Sequence, residues 1–183
     1  MHQLKLIARK ILAAGPVPGV KYAWLRMVWW VRFRSTWRAS HLPKVSIIIP
    51  VYNVERFLAD CLRSARAQNW PNLELIVVND GATDNSAAII DRFMYRTRFM
   101  RVVTQENAGL GAARNAGLAR VEDSDYVMFL DSDDLLPLGA VRRMVKQAES
   151  SGSPLVVGKA VCFYGARYFD RTSTASFFKR SKS

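Results

Sequence analysis

The stretch V-M-F-L-D-S-D-D, residues 127–134, decides the fold, because four apolar residues end directly in a group of carboxylates. A short run that is apolar on both faces is typical of a buried parallel strand. Asp131, Asp133 and Asp134 would then lie where the strand leaves the sheet, and open α/β sheets bind ligands at the carboxyl ends of their strands. Acids this close repel one another unless a positive group joins them, and a divalent metal is the simplest candidate. The alternative is a helix N-cap formed by Asp134, because Asp suits the positive end of a helix.

Strand and helix patterns alternate on both sides of this stretch, which predicts a mostly parallel sheet covered by helices. Apolar runs predict strands over residues 45–49, 73–78, 100–104, 126–130 and 155–157. Helical periodicity predicts helices over residues 54–68, 112–119 and 138–150, and another that Thr83 or Asp84 caps and that ends near Tyr95. Pro50 is expected to end the first strand, because proline cannot donate to a ladder. The polar loops that follow the strands are expected to gather at one edge of the sheet.

Charge divides the 183 residues into three parts, although the whole chain carries a net charge of +12. Each part holds nine Lys or Arg. Residues 1–44 hold no Asp or Glu, residues 45–141 hold thirteen, and residues 142–183 hold two. The central part is therefore mildly acidic, which argues against a nucleic-acid binder, while the basic flanks favour contact with something anionic. Cys61 falls on the apolar face of a predicted helix and is interpreted as a buried residue in a reducing compartment.

The first 43 residues differ in kind from the rest of the chain. A basic, partly amphipathic helical pattern is broken by G-P-V-P-G, and a second stretch interleaves tryptophan with lysine and arginine. Such composition suits an anionic membrane interface, although the tryptophans could instead pack on the domain or on another part of the protein, or the segment could bind nucleic acid. No run reaches the roughly 18 apolar residues that a membrane span needs.

The loops at the predicted edge offer groups that suit a nucleotide diphosphate. Tyr52 offers an aromatic face, Asp80 an acceptor and Arg114 a cation, and N-A-G-L-G lets backbone approach a bulky ligand. Three of these features have a simpler interpretation. Asp80 could form an Asx-turn with Gly81, the glycines of N-A-G-L-G could serve only a close-packed loop, and Arg114 could be a solvated helix residue. Neither a dinucleotide fingerprint nor a Walker motif is present.

Four motifs together resemble the family 2 glycosyltransferases with the GT-A fold. They are V-S-I-I-I-P-V-Y-N-V-E-R-F-L, L-I-V-V-N-D-G-A-T-D-N-S, Q-E-N-A-G-L-G-A-A-R-N-A-G and F-L-D-S-D-D, in that order over residues 45–141. The resemblance implies a Rossmann-like α/β fold, a nucleotide-diphosphate sugar (most commonly a UDP-sugar) as donor, and inverting transfer to a hydroxyl acceptor. Asn79 stands where the family often has another Asp.

The resemblance also implies site residues. It assigns nucleotide-sugar binding to the set Pro50, Tyr52, Asp80, Asn107, Arg114 and Asp131. Within that set Asp80 would hold the base, with Tyr52 and the Pro50 loop beside it. Asp131 and Asp133 would lie near the ribose and hold Mg²⁺ or Mn²⁺ on the diphosphate. A metal there would stabilise the charge of the departing diphosphate.

The catalytic base stays unidentified, because only Glu149 and Asp170 follow Asp134 in the sequence. Glu149 lies on a predicted surface helix and Asp170 has no recognisable context, so the chain resembles a glycosyltransferase cut short at its C-terminus. We expect a basic Trp-rich segment over residues 1–43, a nucleotide-sugar-binding domain over 44–160, and a basic tail or the start of an acceptor-binding half over 161–183. The expected function is glycosyl transfer in the synthesis of a cell-envelope polysaccharide or glycolipid. The alternative is an inactive fragment that binds nucleotides or a membrane surface, and the expected location is the cytoplasm, peripheral to the plasma membrane.

Overall fold

The structure is a computed structural model that describes the backbone of residues 42–164 and 167–179 and the side chains of residues 42–158. The predicted amphipathic helix and the Trp-rich stretch lie outside the described residues. In the part of the chain that is described, none of the helices has both the length and the apolar character needed to cross a membrane.

Six strands and four helices make up the described chain, and the first eight elements alternate strictly between strand and helix. In order they are β1 (Val45–Val51), α1 (Glu55–Arg66), β2 (Leu73–Asp80), α2 (Ser86–Met94), β3 (Met100–Gln105), α3 (Leu110–Leu118), β4 (Tyr126–Phe129), α4 (Ala140–Ser151), β5 (Leu155–Tyr164) and β6 (Arg167–Lys179). The four predicted helices and five predicted strands are therefore all present, with ends that differ by a few residues, apart from the longer β5.

The strands form one sheet in the order β3-β2-β1-β4-β6-β5. Strands β1 to β4 are parallel to one another, whereas β6 pairs antiparallel with both β4 and β5. Consecutive parallel strands need a crossover, and the helices provide it. The predicted α/β class, mostly parallel with helices on both faces, is confirmed.

Two apolar clusters cover the two faces of the sheet. The larger joins alternate residues of β1, such as Ile47 and Ile49, to the apolar faces of α1 and α4. The smaller joins Ile48 and neighbouring sheet residues to α3. Here α3 approaches very closely, because a Cβ on Gly117 would lie 2.4 Å from Cγ2 of Ile48. Only glycine fits that position without moving the helix off the sheet.

Pro50 lies inside β1, so the prediction that it ends the strand is wrong by one residue. The carbonyl of Ile48 accepts a hydrogen bond from the N–H of Leu130, so this part of β1 faces β4. Pro50, two residues further on, faces the same side, where the ladder with β4 has already ended. The missing N–H of proline therefore leaves no ladder bond unmade.

Strand β6 has no counterpart among the predicted elements. Its first residues pair with the end of β5, and its last residues, Phe177 to Lys179, pair with β4. Residues 167–179, expected to be a basic tail or the start of another half, thus continue the same sheet. The sheet order places β6 directly beside the strand that carries the aspartates.

Candidate active site

The loops after β1 and β2 are tied together at the carboxyl edge of the sheet. Asn53 Oδ1 accepts a hydrogen bond from the N–H of Thr83 at 2.8 Å, and Asp84 Oδ2 accepts one from the N–H of Glu55 at 2.9 Å. Glu55 in turn accepts the N–H of Asn85 at 2.9 Å. These reciprocal bonds satisfy N–H groups that the starts of α1 and α2 leave without helical partners.

Asp84, predicted with Thr83 as a cap of the second helix, lies one residue before the cap position, so the prediction is wrong by one residue. Its Oδ1 accepts the N–H of Ser86, the first residue of α2, at 2.9 Å, whereas Asn85 occupies the cap position itself. One carboxylate therefore serves two helix starts and fixes the spacing of two loops at the candidate site.

Asp80, predicted to hold a nucleotide base, is buried with 2% of its surface exposed. Its Oδ1 accepts hydrogen bonds from Gln105 Nε2 at 2.7 Å and from the N–H of Ala108 at 3.0 Å, and its Oδ2 accepts the N–H of Gly109 at 3.0 Å. Burial alone would raise the pKa of Asp80, but the hydrogen bonds from Ala108, Gln105 and Gly109 outweigh it and hold the pKa below its ordinary value. Asp80 thus anchors the N-A-G-L-G loop, and its contact with a base stays a prediction.

Asp80 makes no Asx-turn, because the N–H of Ala82, two residues further on, bonds to the neighbouring Asn79 instead. Asn79 Oδ1 accepts the N–H of Ala82 at 3.0 Å, which closes the turn after β2. Gly81 lies in the left-handed region with φ of 71°, and a Cβ there would lie 2.8 Å from the backbone nitrogen of Asn107. The turn and the N-A-G-L-G loop are therefore in direct contact.

The remaining residues predicted at the base site are divided between surface and core. Tyr52 is 45% exposed just after β1, and Asn107 is exposed on the N-A-G-L-G loop, where its side chain accepts the N–H of Gly109. Pro50 is buried in β1, two residues before Tyr52. Tyr52 and Asn107 therefore offer free polar or aromatic surface at the edge, whereas Pro50 serves to shape it.

Arg114 joins the glycine-rich motif to the aspartates. Its Nη2 lies 2.6 Å from Asp131 Oδ1, and its guanidinium carbon lies 5.9 Å from the ring centre of Phe129, the last residue of β4. The side chains of Arg114 and Asp131 are 34% and 44% exposed, so the pair can still be reached from solvent. The two site residues that were predicted on separate motifs are thus in contact, and Arg114 is not merely a solvated helix residue.

The other two aspartates are exposed and lie close enough to affect one another. Burial, and then the charges of Asp133 and Asp131, raise the pKa of Asp134 above its ordinary value. The backbone N–H of Asp134 closes a turn on the carbonyl of Asp131 at 3.0 Å. Helix α4 begins only at Ala140, so the alternative that Asp134 caps a helix is wrong.

Cys61 of α1 lies directly beneath this loop and is fully buried, as predicted. Its sulfur is 3.6 Å from the carbonyl oxygen of Asp131. Burial, followed by the charges of Asp134, Asp133 and Asp131, raises the pKa of the thiol to about 12. The negative charge of the loop therefore disfavours ionisation of the thiol.

Two further side chains of α1 hold the chain that follows the aspartates, and sequence reasoning missed both. Ser64 Oγ accepts the N–H of Leu136 at 3.0 Å. Gln68, 1% exposed, donates to the carbonyl of Pro137 at 3.1 Å and accepts the N–H of Val141 at 3.2 Å. The usable signal was a polar residue on the apolar face of a predicted helix, because buried amides need partners.

The aspartate loop suits Mg²⁺ or Mn²⁺ bound together with a phosphate ligand. Among residues whose side chains are described, no group of three or more His, Cys, Asp or Glu forms a ready metal cage. Mg²⁺ needs no such cage, because it uses one or two protein carboxylates and completes its shell with water and substrate phosphates. Asp133 offers an exposed carboxylate, and Asp131 offers a second whose charge Arg114 partly balances.

Fold and site together define a class: an α/β domain with an acidic loop at the carboxyl end of a central strand and a glycine-rich loop beside it. The family model for glycosyl transferase family 2 matches residues 46–182. The chain therefore belongs to this family of glycosyltransferases.

Two curated relatives each match about two thirds of the chain. The glycosyltransferase GlyA of Streptococcus pneumoniae serotype 4 is 41% identical over 120 residues, which are 66% of this chain and 17% of that protein. The poly(ribitol-phosphate) beta-glucosyltransferase of Bacillus spizizenii is 34% identical over 122 residues, 63% of this chain and 19% of that protein. The chain thus spans about a fifth of the length of either relative.

Solved structures agree with the fold. The crystal structure of S. aureus TarS 1-349 in complex with UDP-GlcNAc is 30% identical, with a TM-score of 0.56, and the match covers 61% of this chain and 33% of that one. The mannosyltransferase PcManGT from Pyrobaculum calidifontis, in complex with GDP-Man and Mn²⁺, has a TM-score of 0.58 at 22% identity and covers 70% and 41%. The second likeness concerns the fold alone.

Proposed function

We propose that this chain binds the donor of a glycosyl transfer reaction, a nucleotide-diphosphate sugar and most simply a UDP-sugar. The observation that carries the proposal is the aspartate loop after β4, where the charges of Asp131 and Asp133 act on Asp134 and Arg114 pairs with Asp131. Like charges gathered at a strand end favour a multivalent cation, and a cation held there favours a diphosphate. The named complexes of TarS and PcManGT with nucleotide sugars support this donor class.

Each part of the edge then has a role in donor binding. Tyr52 and Asn107 lie on the exposed surface where a planar base and its ribose would rest, with Pro50 buried two residues before Tyr52, and Asp80 holds the loop that completes this surface. Asp133, with Asp131, would hold Mg²⁺ or Mn²⁺, and the ion supplies positive charge to the departing diphosphate. Arg114 keeps Asp131 in place and offers its own charge to the same phosphates.

The complete reaction is transfer of the sugar to a hydroxyl acceptor with inversion. The named activity of the Bacillus spizizenii relative suggests a cell-envelope polymer as the acceptor class. Contact of residues 1–43 with an anionic membrane, on the inner face of the plasma membrane, would bring the domain to such a substrate. These assignments concern a whole protein of which the chain matches one part.

A second candidate is donor binding with weak or absent transfer by this chain. Transfer needs a carboxylate that takes the proton of the acceptor, and only Glu149 and Asp170 follow the aspartate loop. Glu149, on the exposed face of α4, accepts a hydrogen bond from the hydroxyl of Tyr126. Asp170 lies in β6. Detection of transferred sugar above a metal-free control would exclude this second candidate.

Calorimetric titration of UDP, with and without Mn²⁺, tests the proposed donor site. We expect binding that depends on the metal and weakens by at least about tenfold in Asp133→Asn, because each lost ligand or shell group costs tens of fold in metal affinity. Asp91→Asn is the matched control, since Asp91 is also exposed but lies on α2. Equal affinity of the two variants would reject the site, and GDP, CDP and dTDP would test the choice of base.

A further inference from the structure

A pocket lined by four arginines lies between α1 and α2 and has no part in the donor site. Its volume is about 180 Å³. We call it the arginine pocket, and its lining residues are Ala59, Arg63, Arg66, Ile89, Arg92, Phe93 and Arg96. The two helices begin where β1 and β2 end, so most of these residues lie in the later turns, toward the opposite edge of the sheet.

Among residues 42–158, one of these four arginines is paired with a carboxylate. Arg63 pairs with Asp60 on the same helix. For Arg66, Arg92 and Arg96, no ion pair with a carboxylate is found among residues 42–158. Guanidinium groups are planar donors that bind phosphate through two parallel hydrogen bonds, so a cluster of them suits a phosphate group.

The helix dipole explains only part of this arrangement. Arg63 and Arg66 lie in the last turn of α1 and Arg92 in the last turn of α2, where cations are favoured. Arg96 lies beyond the end of α2, yet it lines the same pocket. Arg66 is also placed over the ring of Phe93, with 5.9 Å between the guanidinium carbon and the ring centre. Four arginines therefore line one pocket, which the dipole alone does not require.

Exposed apolar side chains accompany the arginines. In the segment that leaves α2 and enters β3, Met94 is 44% exposed, Tyr95 is 90% exposed and Phe99 is 38% exposed. Arg98, also exposed, lies among them. Aromatic rings beside arginines are typical of surfaces that rest at the headgroup level of a membrane, where the ring is partly buried and the cation meets phosphate.

We propose that the arginine pocket binds the phosphate of an anionic lipid headgroup, and that Tyr95 and its neighbours enter the interface beside it. The residues of this surface lie between positions 59 and 99 of the sequence, and none of them belongs to the donor site. Because the aspartate loop follows β4 at the other edge of the sheet, a membrane bound at the arginine pocket leaves the donor site open to solvent. The positive charge that suits an anionic headgroup is concentrated at this surface, because residues 45–141 as a whole hold thirteen acidic and nine basic residues.

Sedimentation of the full chain with lipid vesicles tests the proposal. One set of vesicles contains phosphatidylcholine alone, and the other also contains phosphatidylglycerol. The variant Arg66→Gln/Arg92→Gln/Arg96→Gln should bind the anionic vesicles at least about tenfold more weakly than wild type, because each arginine near the surface contributes severalfold. Tyr95→Ser should weaken binding by a smaller factor, and since Tyr95 is 90% exposed it should not alter the unfolding midpoint.

The matched control removes the same charge elsewhere on the domain. Arg120→Gln/Arg142→Gln/Lys146→Gln changes three exposed cations that do not line the arginine pocket, and it should reduce vesicle binding less than about twofold, because salt screens charges that make no direct contact with the membrane. Equal losses in the two triple variants would overturn the proposal, since net charge alone would then act. Wild-type binding in the pocket triple variant would overturn it too.

Two further measurements distinguish a lipid site from a site for a soluble anion and from the donor site. Calorimetric titration of inorganic phosphate shows whether a soluble anion suffices: a phosphate affinity that the triple variant loses, with unchanged vesicle binding, would replace the lipid by a soluble ligand. Titration of UDP with Mn²⁺ should give wild-type affinity in the pocket variant. Failure of the proposed donor site therefore shows in the UDP titration, and failure of the lipid site shows in the vesicle experiment.

Discussion

The loop after β2 and the loop after β4 both place aspartates at the carboxyl edge of the sheet, but they treat the charge in opposite ways. Asp80 is buried and accepts three hydrogen bonds from Gln105, Ala108 and Gly109, which lower its pKa. In the loop after β4, Asp133 and Asp134 are largely exposed, and the pKa of Asp134 is raised by partial burial of its carboxyl group and then by the neighbouring carboxylates.

This difference in environment distinguishes Asp80, which stabilises the fold, from the aspartates after β4, whose charge is available to a ligand. The charge of Asp80 is already satisfied by the protein, so a ligand gains little from it, and its removal should damage the N-A-G-L-G loop. The charges after β4 oppose one another, and a cation would relieve the repulsion. Motifs of similar appearance thus differ in function because of the donors that surround them.

The largest expected effect concerns Cys61, which lies beneath the loop after β4. Its pKa is raised from an ordinary value of 9.0 to about 12, so its thiolate fraction falls by about three orders of magnitude. In a Cys162→Ser background, which leaves one thiol, a thiol reagent at pH 8 should label the native chain at least about a thousandfold more slowly than the chain in urea.

A charge variant of each loop then sharpens the comparison. Asp134→Asn should speed native labelling of Cys61, because one of the charges that oppose its thiolate is gone. Asp80→Asn should leave the rate unchanged, since Asp80 does not contribute to the pKa of Cys61. Fast labelling of the native Cys162→Ser chain, or an effect of Asp80→Asn alone, would show that the loop after β4 does not act on the thiol as described.

The next effect is on stability and comes from Asp80→Ala. The change leaves the N–H groups of Ala108 and Gly109 without their acceptor, so we expect the free energy of unfolding in urea to fall by about 2 kcal/mol at pH 7. Asp80→Asn retains one acceptor oxygen and should lose less.

The pH dependence of this loss has a defined sign. Because the folded-state pKa of Asp80 is lowered, its contribution is present above the unfolded-state pKa, near 3.8, and is lost as the pH falls through the folded-state pKa. The difference between wild type and Asp80→Ala should therefore shrink in acid. A variant as stable as wild type at pH 7 would contradict the role of Asp80 as anchor of the loop.

The strands that were predictable from sequence are those with continuous apolar runs. Residues such as Ile47, Ile48 and Ile49 are buried on both faces of a parallel sheet and show it in their composition. Strand β6 reads R-Y-F-D-R-T-S-T-A-S-F-F-K, which has neither a continuous apolar run nor strict alternation. Pairing with β4 and β5 determines its extended conformation, and pairing with a strand distant in sequence leaves no local pattern.

The candidate site was predictable to the level of its loops but not of its contacts. That polar loops follow β1, β2 and β4 could be predicted, because strand ends share an edge. That Asp80 is bonded to Ala108 and Gly109, 28 and 29 residues away, depends on the conformation of two loops at once. The Asx-turn considered for Asp80 does not form, because the path of the chain gives the N–H of Ala82 to Asn79 and places the Asp80 carboxylate against Ala108 and Gly109.

The smallest expected effect is on stability in Asp134→Asn. Its raised pKa means that folding favours the protonated acid, so its contribution is fully present below the unfolded-state pKa, near 3.8, and is lost as the pH rises through the folded-state pKa. At neutral pH the uncharged variant should therefore be slightly more stable than wild type, within the roughly 0.5 kcal/mol usual for surface changes.

Thermal unfolding of Asp134→Asn, Asp91→Asn and wild type at pH 7 and at pH 3 measures this difference. The gain should be confined to Asp134→Asn, should vanish at pH 3, and should also vanish at pH 7 when Mn²⁺ is added, because a bound cation removes the repulsion in the wild-type loop. A loss of stability at pH 7 would mean that Asp134, like Asp80, is satisfied by the fold. The contrast between the two loops would then reduce to Asp131 and Asp133.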